Sequence, residues 1–271
     1  MNAPARVVAV LVTYQPDLPA LETHIGAILP QVDGLVLVDN GSANAPAVRE
    51  LVDRFGAVGL FQSTNLGIGQ AQNAGIARAL DDLAADAVLM MDQDSGPAPD
   101  MVDRLRAALA ADPGIAVASA CYRDGQGAGG SNLIASGSLF AADALRVVGP
   151  FDETLFMDFV DTDWGHRAEA AGRACVLVRA ARMRHALGQG RVRVPGRSLT
   201  LHAPERTYYQ LRNLLLLARH PATPRGWLWR RGPRFVLRSF ALGLTVAPRR
   251  YRLGLILRGL WDGLRGRRGP L

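Results

Sequence analysis

The sequence predicts an α/β fold in which helices flank a mostly parallel β-sheet. Short, apolar, β-rich segments alternate with segments whose apolar residues recur at helical spacing, which is the pattern of consecutive βαβ units. Polar clusters follow several of the predicted strands, and ligands of such sheets bind at the carboxyl ends of the strands. The chain has 271 residues, 49% of them apolar, which is enough for one large domain with a substantial extension.

Strands are predicted in the first half of the chain where short segments are almost wholly apolar and rich in β-branched residues. They cover residues 6–14, 33–42, 57–63, 87–92 and 115–122. Helices are predicted between them, at residues 18–29, 45–55, 67–80 and 98–109. The second half is expected to hold a glycine-rich loop at 124–132, helices at 158–172 and 206–220, and a strand followed by a turn within 173–188.

Basic charge is concentrated at the end of the chain. All 31 basic residues are arginine, and residues 225–271 hold 12 of them against a single acid, Asp262. This segment carries a net charge of +11 and the remainder of the chain −4, which together give +7. Such a basic segment predicts contact with a polyanion or an anionic membrane surface. Nucleic acid is the less favoured partner, because no nucleic-acid-binding motif accompanies the arginines.

The cysteines and the N-terminus indicate the compartment. Cys121 and Cys175 stand in different contexts and suggest neither a disulfide framework nor a metal site, which fits a reducing cytosol. The apolar run after Arg6 is short and is interpreted as a first strand, not as a signal peptide. We therefore expect a cytoplasmic protein.

Two aspartates, Asp92 and Asp94, follow the fourth predicted strand in "VLMMDQDSGP". Residues i and i+2 of an extended chain face the same side, so both carboxylates could converge on Mg²⁺ or Mn²⁺, which would in turn hold a diphosphate. The alternative is a solvated strand end that caps the next helix. His185, near another strand end, is a candidate third ligand or an ordinary structural histidine.

Three further acids crowd the start of the helix predicted at 158–172: Asp158, Asp161 and Asp163. The helix dipole favours acids at this end, which accounts for one or two of them. A carboxylate at the edge of a cleft could instead act as a general base.

Two helical segments suggest binding surfaces. "NLGIGQAQNAG" (65–75) is a weak match to a dinucleotide fingerprint, and its small residues suit close packing of a helix beneath a nucleotide. In residues 252–264 apolar side chains recur at three and four positions among arginines, which favours a helix lying in a membrane interface. A core-packing helix or an oligomer contact are the alternatives for that segment.

Taken in order, these segments resemble family 2 glycosyltransferases with a GT-A fold, over residues 6–220. The resemblance is carried by "VVAVLVTYQP", "LVDNGS", "NLGIGQAQNAG", "MMDQDS" and "GSLFAADALRVVGPFDETLFMDFVDTDWGHRAEAAG". It implies a glycosyltransferase domain at 1–224, with a nucleotide-sugar-binding half at 1–122 and an acceptor-side half at 123–224. A basic, amphipathic helical tail would follow at 225–271. "DQDS" with "DFVDTDW" is similar to the rhamnosyltransferase branch and implies dTDP-L-rhamnose as the donor.

The resemblance also implies roles for individual residues. Asp161 would be the catalytic base, with Asp163 as the alternative, because Val160 replaces the first acid of the family's usual pair. Asp94, Asp92 and His185 would hold Mg²⁺ or Mn²⁺. The residues expected to bind the nucleotide sugar are Thr13, Tyr14, Asp39, Asn65, Gly67, Asn73, Asp92, Gln93 and Arg212.

The implied reaction is an inverting, metal-dependent sugar transfer to a hydroxyl of a glycan, in bacterial cell-surface polysaccharide synthesis. Bacterial enzymes of this kind often act on lipid-linked glycans at the inner face of the cytoplasmic membrane, so the enzyme is expected there, held by its basic tail. The departure at Val160 motivates an alternative, a non-catalytic nucleotide-sugar-binding or scaffold protein on the same fold. A nucleotidyltransferase fits less well, because "TYQPDLP" stands where such enzymes carry a glycine-rich loop.

Overall fold

The computed structural model describes residues 4–122, 133–185, 191–194, 197–200 and 203–271. The glycine-rich loop predicted at 124–132 and the turn expected after residue 185 lie outside these residues. The described strands are β1 (Val7–Thr13), β2 (Gly34–Asp39), β3 (Val58–Phe61), β4 (Ala87–Asp92), β5 (Ser95–Pro97), β6 (Ile115–Tyr122), β7 (Ser138–Ala141), β8 (Ala174–His185), β9 (Arg191–Val194) and β10 (Arg197–Thr200).

Within the described residues, the central sheet has eight strands in the order β3-β2-β1-β4-β7-β6-β8-β5. Strands β3, β2, β1 and β4 are mutually parallel, as are β6 and β8, whereas β7 runs antiparallel to both of its neighbours. The carboxyl ends of β1, β2 and β4 therefore meet at one edge of the sheet, which is where the sequence predicts the binding site. Strands β9 and β10 form a separate hairpin.

Helices cover both faces of the sheet. They are α1 (Leu18–Ile28), α2 (Ala45–Arg54), α3 (Ile68–Ala77), α4 (Met101–Ala111), α5 (Ala142–Val148), α6 (Val160–Ala170), α7 (Pro204–Leu217), α8 (Arg225–Thr245) and α9 (Arg249–Arg265). Local sequence explains where some of them begin. The Asp17 carboxylate caps α1 by accepting a hydrogen bond from Ala20 N at 2.9 Å.

Among the described residues, the apolar side chains on the two faces of the sheet form two core clusters, because side chains alternate across each strand, and a third cluster joins Tyr208, Tyr209 and Leu255. On β1, Val8, Val10 and Val12 pack on the face covered by α3, α5 and α6, whereas Val7, Ala9 and Leu11 pack on the face covered by α1, α2 and α4. Every residue of β1 is buried, which explains its continuous apolar sequence.

The basic C-terminal segment forms α8 and α9 and packs against α7. Tyr208 Oη donates to the Asp262 carboxylate at 2.8 Å. Gly259 and Gly263 allow close approach, because a Cβ at either position would lie 2.7 Å from Tyr208 O or 2.9 Å from Arg212 O. Residues 252–264, predicted to be helical, lie within α9, and one side of this helix is part of the packed structure. Within the described residues, no helix is both long and apolar enough to cross a membrane.

Candidate active site

A cleft of about 590 Å³ opens at the carboxyl ends of β1, β2 and β4. It is bounded by the ends of these strands, the start of α3, residues 134–136, the segment 156–161 and the first turn of α7. The expected site residues that line it are Thr13, Tyr14, Asn65, Gly67, Asp92, Gln93, Asp94 and Asp161. The structure thus brings together residues that are up to 148 positions apart in the sequence.

Hydrogen bonds to the end of β2 fix the turn that follows β1. The Thr13 hydroxyl donates to the Asp39 carboxylate at 3.1 Å, and Ser42 N donates to the same carboxylate at 2.9 Å. Asp39 is fully buried and lies behind Thr13, outside the lining of the cleft. Its position suits fixing the turn for which the family resemblance implies base binding.

Gln93 links the ends of β1 and β4. Its side-chain amide accepts a hydrogen bond from Tyr14 N at 2.7 Å and donates to Tyr14 O at 3.2 Å. The Gln93 carbonyl in turn accepts from His24 Nδ1 at 2.7 Å. Gln93 therefore positions the Tyr14 backbone at the mouth of the cleft, a role that the sequence pattern alone does not reveal.

Asn65 and Gly67 shape the start of α3. Asn65 Oδ1 accepts hydrogen bonds from Gly67 N at 2.9 Å and from the Asn40 amide at 3.1 Å. Gly67 has a φ of 90°, and a Cβ there would lie 2.7 Å from Phe156 O. Glycine is thus required both by its backbone conformation and by the segment that packs against it.

Asp92 and Asp94 both line the cleft. Asp92 ends β4, whereas Gln93 and Asp94 form a turn before β5, so the extended geometry expected of the D-x-D pattern does not continue to Asp94. Burial, and then the neighbouring Asp94 carboxylate, raises the pKa of Asp92 to about 6, with Arg206 opposing the shift. Ser136 Oγ accepts from Asp92 N at 3.0 Å and bonds to Ser95 Oγ at 2.9 Å.

A divalent cation fits this donor set. Two carboxylates that repel one another would be neutralised by the cation, and Mg²⁺ commonly takes one or two protein carboxylates together with substrate phosphate oxygens. Among the described side chains, there is no cluster of three or more His, Cys, Asp or Glu suited to a metal. The His185 backbone pairs with Ser95, directly after Asp94, but its side chain lies outside the described part of the structure.

Asp161 faces the same cleft from the first turn of α6. Its carboxylate accepts hydrogen bonds from Thr162 N at 2.8 Å and from Ala135 N at 3.4 Å. Burial raises the pKa of Asp161 to about 6, and the carboxylates of Asp158 and Asp92 add to this rise. A carboxyl with such a pKa can exchange a proton near neutral pH, which suits general base chemistry.

Residues 156–159, which precede Asp161, have a strained backbone and are fixed by hydrogen bonds from α7. Phe156, Asp158 and Phe159 have φ values of 63°, 60° and 65°. Such conformations persist only where the surroundings impose them. The Asn213 amide donates to the carbonyls of residues 155, 157 and 158 at 2.7–3.0 Å and so fixes this segment.

Arg212 is placed differently from the sequence expectation. Its guanidinium is fully buried and donates to the Leu155 carbonyl at 2.8 Å and to the Gly269 carbonyl. It lies outside the cleft lining, so its position suits joining the C-terminus to the strained segment and not meeting a diphosphate. The motif "YYQLRN" therefore contributes structural contacts through Arg212 and Asn213.

Asn73 and Asp163 also lie outside the cleft lining. Asn73 exchanges two hydrogen bonds with the Phe151 backbone, at 2.9 and 3.0 Å. Asp163 is buried and pairs with Arg167 at 2.9 Å, four residues later on α6. Arg167 in turn donates to the carbonyls of residues 148 and 150. The Asn73 amide and the Asp163 carboxylate are therefore both engaged in contacts within the fold and do not face the cleft.

The structure adds Arg206 and Gln72 to the cleft, neither of which was predicted. Arg206 lies in the first turn of α7. Its Nε donates to both carboxylate oxygens of Asp158, at 2.9 and 3.0 Å. Arg206 begins the same "RTYYQLRN" segment that drew attention to Arg212. Without the long-range contacts, no sequence signal distinguishes which of the two arginines faces the cleft.

Comparison with known proteins identifies relatives of the chain. Residues 9–144 match the family model for glycosyl transferase family 2. The chain is 29% identical over 245 residues to the dTDP-rhamnosyl transferase RfbF of Shigella flexneri. The alignment covers 81% of this chain and 82% of that protein.

Solved structures share the fold. S. aureus TarS (residues 1–349) superposes with a TM-score of 0.55 at 15% identity, over 95% of this chain and 80% of that one. GalNAc-T7, solved with UDP, GalNAc and Mn²⁺, gives a TM-score of 0.61 at 12% identity, over 96% of this chain and 56% of that one. The predicted α/β fold with a mostly parallel sheet is thereby confirmed as a GT-A-like fold.

Proposed function

The chain belongs to glycosyl transferase family 2 and is a glycosyltransferase, and from this premise we propose that it transfers L-rhamnose from dTDP-L-rhamnose. The acceptor is a hydroxyl group of a lipid-linked glycan in bacterial cell-surface polysaccharide synthesis, and the transfer inverts the anomeric configuration. The match to a dTDP-rhamnosyl transferase along most of both chains supports the donor. The observation that carries the chemistry is Asp161, a carboxyl with a pKa of about 6 that faces the cleft next to Asp92.

Asp161 is the proposed general base. Its ionised carboxylate takes the proton of the acceptor hydroxyl as that oxygen attacks the anomeric carbon of the donor. The bond between the anomeric carbon and the diphosphate breaks on the opposite face, so the configuration inverts. The backbone N–H groups of Thr162 and Ala135 hold the carboxylate in place and favour its charged form.

The remaining cleft residues bind the donor in this proposal. The turn of Thr13 and Tyr14 receives the base. Arg206 takes the part expected of Arg212, because of these two arginines of α7 it is Arg206 that lines the cleft. Asp92 and Asp94 would hold Mg²⁺ or Mn²⁺. That cation would supply charge neutralisation for the diphosphate as it leaves.

The non-catalytic alternative rests on Val160, and its place in the structure weakens that alternative. Val160 is buried in the core beside Gly69, where its Cγ1 would lie 3.2 Å from an added Cβ. The next residue, Asp161, is the one whose side chain reaches the cleft. A carboxylate therefore remains where a base is needed, and a valine at the preceding position fits the apolar packing.

The tail supports a location at a membrane surface. On α8, Trp229, Leu237 and Leu244 are 81%, 70% and 60% exposed and recur at eight and seven residues, so they share one side of the helix. Exposed arginines, Arg230 and Arg234, stand beside them. We propose that this side of α8 meets anionic headgroups at the inner face of the cytoplasmic membrane.

The α9 helix also has exposed apolar side chains next to an arginine. Leu257, Trp261 and Leu264 are exposed at spacings of four and three, and the Arg265 guanidinium lies 4.3 Å from the centre of the Trp261 ring. Residues 1–224 are thus the proposed catalytic domain, and 225–271 an extension packed on α7 that leaves apolar and basic side chains exposed.

A donor panel tests the proposed function. The protein is incubated with dTDP-, UDP- and GDP-sugars and lipid-linked glycan acceptors, and the released nucleoside diphosphate is measured. Release from dTDP-L-rhamnose above all other donors, lost with EDTA and restored by Mn²⁺ or Mg²⁺, is expected. Binding of dTDP-L-rhamnose without turnover would instead favour the non-catalytic alternative.

A further inference from the structure

Gln72 is a buried polar residue in the cleft wall that the proposed reaction does not use. It lies on α3, is 4% exposed and lines the cleft. Its side-chain Oε1 is enclosed and has no hydrogen-bond partner among the described residues. The amides of Asn40, Asn65 and Gln93, which also line the cleft, are engaged with backbone or side-chain groups.

The position of Gln72 on α3 shows which part of the cleft it faces. Gly75, one turn later on the same side of the helix, lies against Val10 and Val38. These valines belong to the sheet face that also carries Val12 and Met90. Gln72 is closer to the start of α3 and hence to the carboxyl ends of the strands, because a helix that follows a parallel strand runs back along the sheet.

The same sheet face carries the reaction centre. Asp92 follows Met90 by two residues and therefore points to the side that α3 covers. Thr13 and Asp39 follow Leu11 and Leu37 on the opposite face. Gln72 is thus on the side of Asp92, which interacts with the proposed base Asp161, and not on the side of the turn proposed to receive the nucleotide base.

An enclosed carbonyl oxygen without a partner is unfavourable, and a ligand that donates a hydrogen bond to it removes that penalty. A diphosphate at neutral pH has no hydrogen to donate. A sugar presents several hydroxyl groups, each of which can donate. We propose that the Gln72 amide binds a hydroxyl group of the transferred sugar, making Gln72 a residue that selects the sugar; this inference rests on the proposed function.

The test compares binding of a nucleotide sugar with binding of its nucleoside diphosphate. Gln72→Met keeps a similar volume and removes the amide. Gln70→Met on the same helix is the control, since Gln70 lies outside the cleft lining. Affinities of both variants and the wild type for dTDP and dTDP-L-rhamnose are measured by titration calorimetry, and unfolding temperatures by calorimetry.

Gln72→Met is expected to weaken dTDP-L-rhamnose binding about tenfold, the effect of one lost hydrogen bond, while dTDP binding stays within about twofold. The unfolding temperature should not fall, because the substitution removes a buried polar group without a partner. Gln70→Met should bind both ligands as the wild type does.

Equal weakening of dTDP and dTDP-L-rhamnose binding by Gln72→Met, or no weakening of either, overturns the inference. If the wild type prefers another nucleotide sugar, only the rhamnose donor is wrong, and Gln72 is judged with that sugar against its own nucleoside diphosphate. If the wild type turns over no nucleotide sugar in the donor panel, the proposed function fails. If it turns over a donor and Gln72→Met binds that donor and its nucleoside diphosphate as the wild type does, the inference alone fails.

Discussion

The side-chain amide of Gln93 pairs with both backbone polar groups of Tyr14, accepting from its N–H at 2.7 Å and donating to its carbonyl at 3.2 Å. The residue between the two aspartates therefore connects the proposed metal site on β4 to the proposed base-binding turn on β1. Its own carbonyl is held by His24 of α1. The diphosphate of the donor would thus bind at the end of β4 and its base at the turn after β1, and Gln93 would keep these two parts of the protein at a fixed distance.

Gln93→Leu is expected to weaken dTDP binding about tenfold, because it removes two hydrogen bonds that each contribute about 1 kcal/mol and that hold the Tyr14 turn. Titration calorimetry with dTDP measures this loss. Gln70→Leu, outside the cleft, is the matched control and should leave dTDP affinity unchanged. Unaltered dTDP binding by Gln93→Leu would show that the turn keeps its position without the amide.

Asn213→Ala is expected to lower the free energy of unfolding by about 1–3 kcal/mol, since it removes the amide donor from the carbonyls of Met157 and Asp158, whereas the Leu155 carbonyl still accepts from Arg212. Sugar transfer should fall by more than about tenfold, because the segment leads directly into Asp161. Affinity for dTDP should change little, since the proposed base-binding turn lies on β1. Urea unfolding, transfer assays and dTDP titration together distinguish this pattern from a general loss of folded protein, in which all three would change.

The proposed base also predicts a pH dependence. The pKa of Asp161 is raised to about 6, and only its ionised form accepts a proton, so kcat/KM should rise with pH through about 6 and level off above it. Asp92 has a similarly raised pKa, but saturating Mn²⁺ competes with its proton and moves that transition to lower pH. Bound Mn²⁺ also removes the part of the Asp161 shift that comes from the Asp92 charge, but not the larger part that comes from burial. A profile at saturating Mn²⁺ that stays flat from pH 4 to 8 would therefore exclude Asp161 as the titrating base.

Substituting the exposed apolar residues of α8 should release the protein from anionic membranes. The triple variant Trp229→Gln, Leu237→Gln and Leu244→Gln keeps the net charge and is expected to lose at least about tenfold in binding to phosphatidylglycerol vesicles, since each exposed apolar side chain loses its burial in the interface. Val147→Gln, another exposed apolar position, is the control.

Vesicle cosedimentation measures this binding, with phosphatidylcholine vesicles as the uncharged comparison. Point substitutions are preferable to removing residues 225–271, because Tyr208 and Arg212 of α7 hydrogen-bond to that segment. Equal binding of the triple variant and the wild type would assign the exposed side of α8 to another partner.

The strands could be predicted closely because β1 and β4 are buried on both faces and thus have continuous apolar sequences. The fourth predicted strand, 87–92, coincides with β4, and the first, 6–14, exceeds β1 by one residue at each end. The presence of a polar edge at the carboxyl ends of the strands followed from the same pattern.

Individual roles in the site were less predictable, because they depend on contacts between distant segments. Arg206 and Arg212 are six residues apart on one helix, and only the fold shows that the first lines the cleft while the second holds the C-terminus. Asp163 is different, since its partner Arg167 is four residues away and their pairing could have been inferred from helical spacing.

Asp161 is the residue on which the proposed chemistry most directly depends, and Asp161→Asn tests it. Turnover of dTDP-L-rhamnose with lipid-linked acceptors is measured as dTDP release, alongside donor affinity, for this variant and for Asp163→Asn, two residues further on α6. Loss of a base predicts a fall of about 10²–10⁴-fold in turnover for Asp161→Asn, with donor binding retained and Asp163→Asn still active. Wild-type turnover by Asp161→Asn would contradict the assignment.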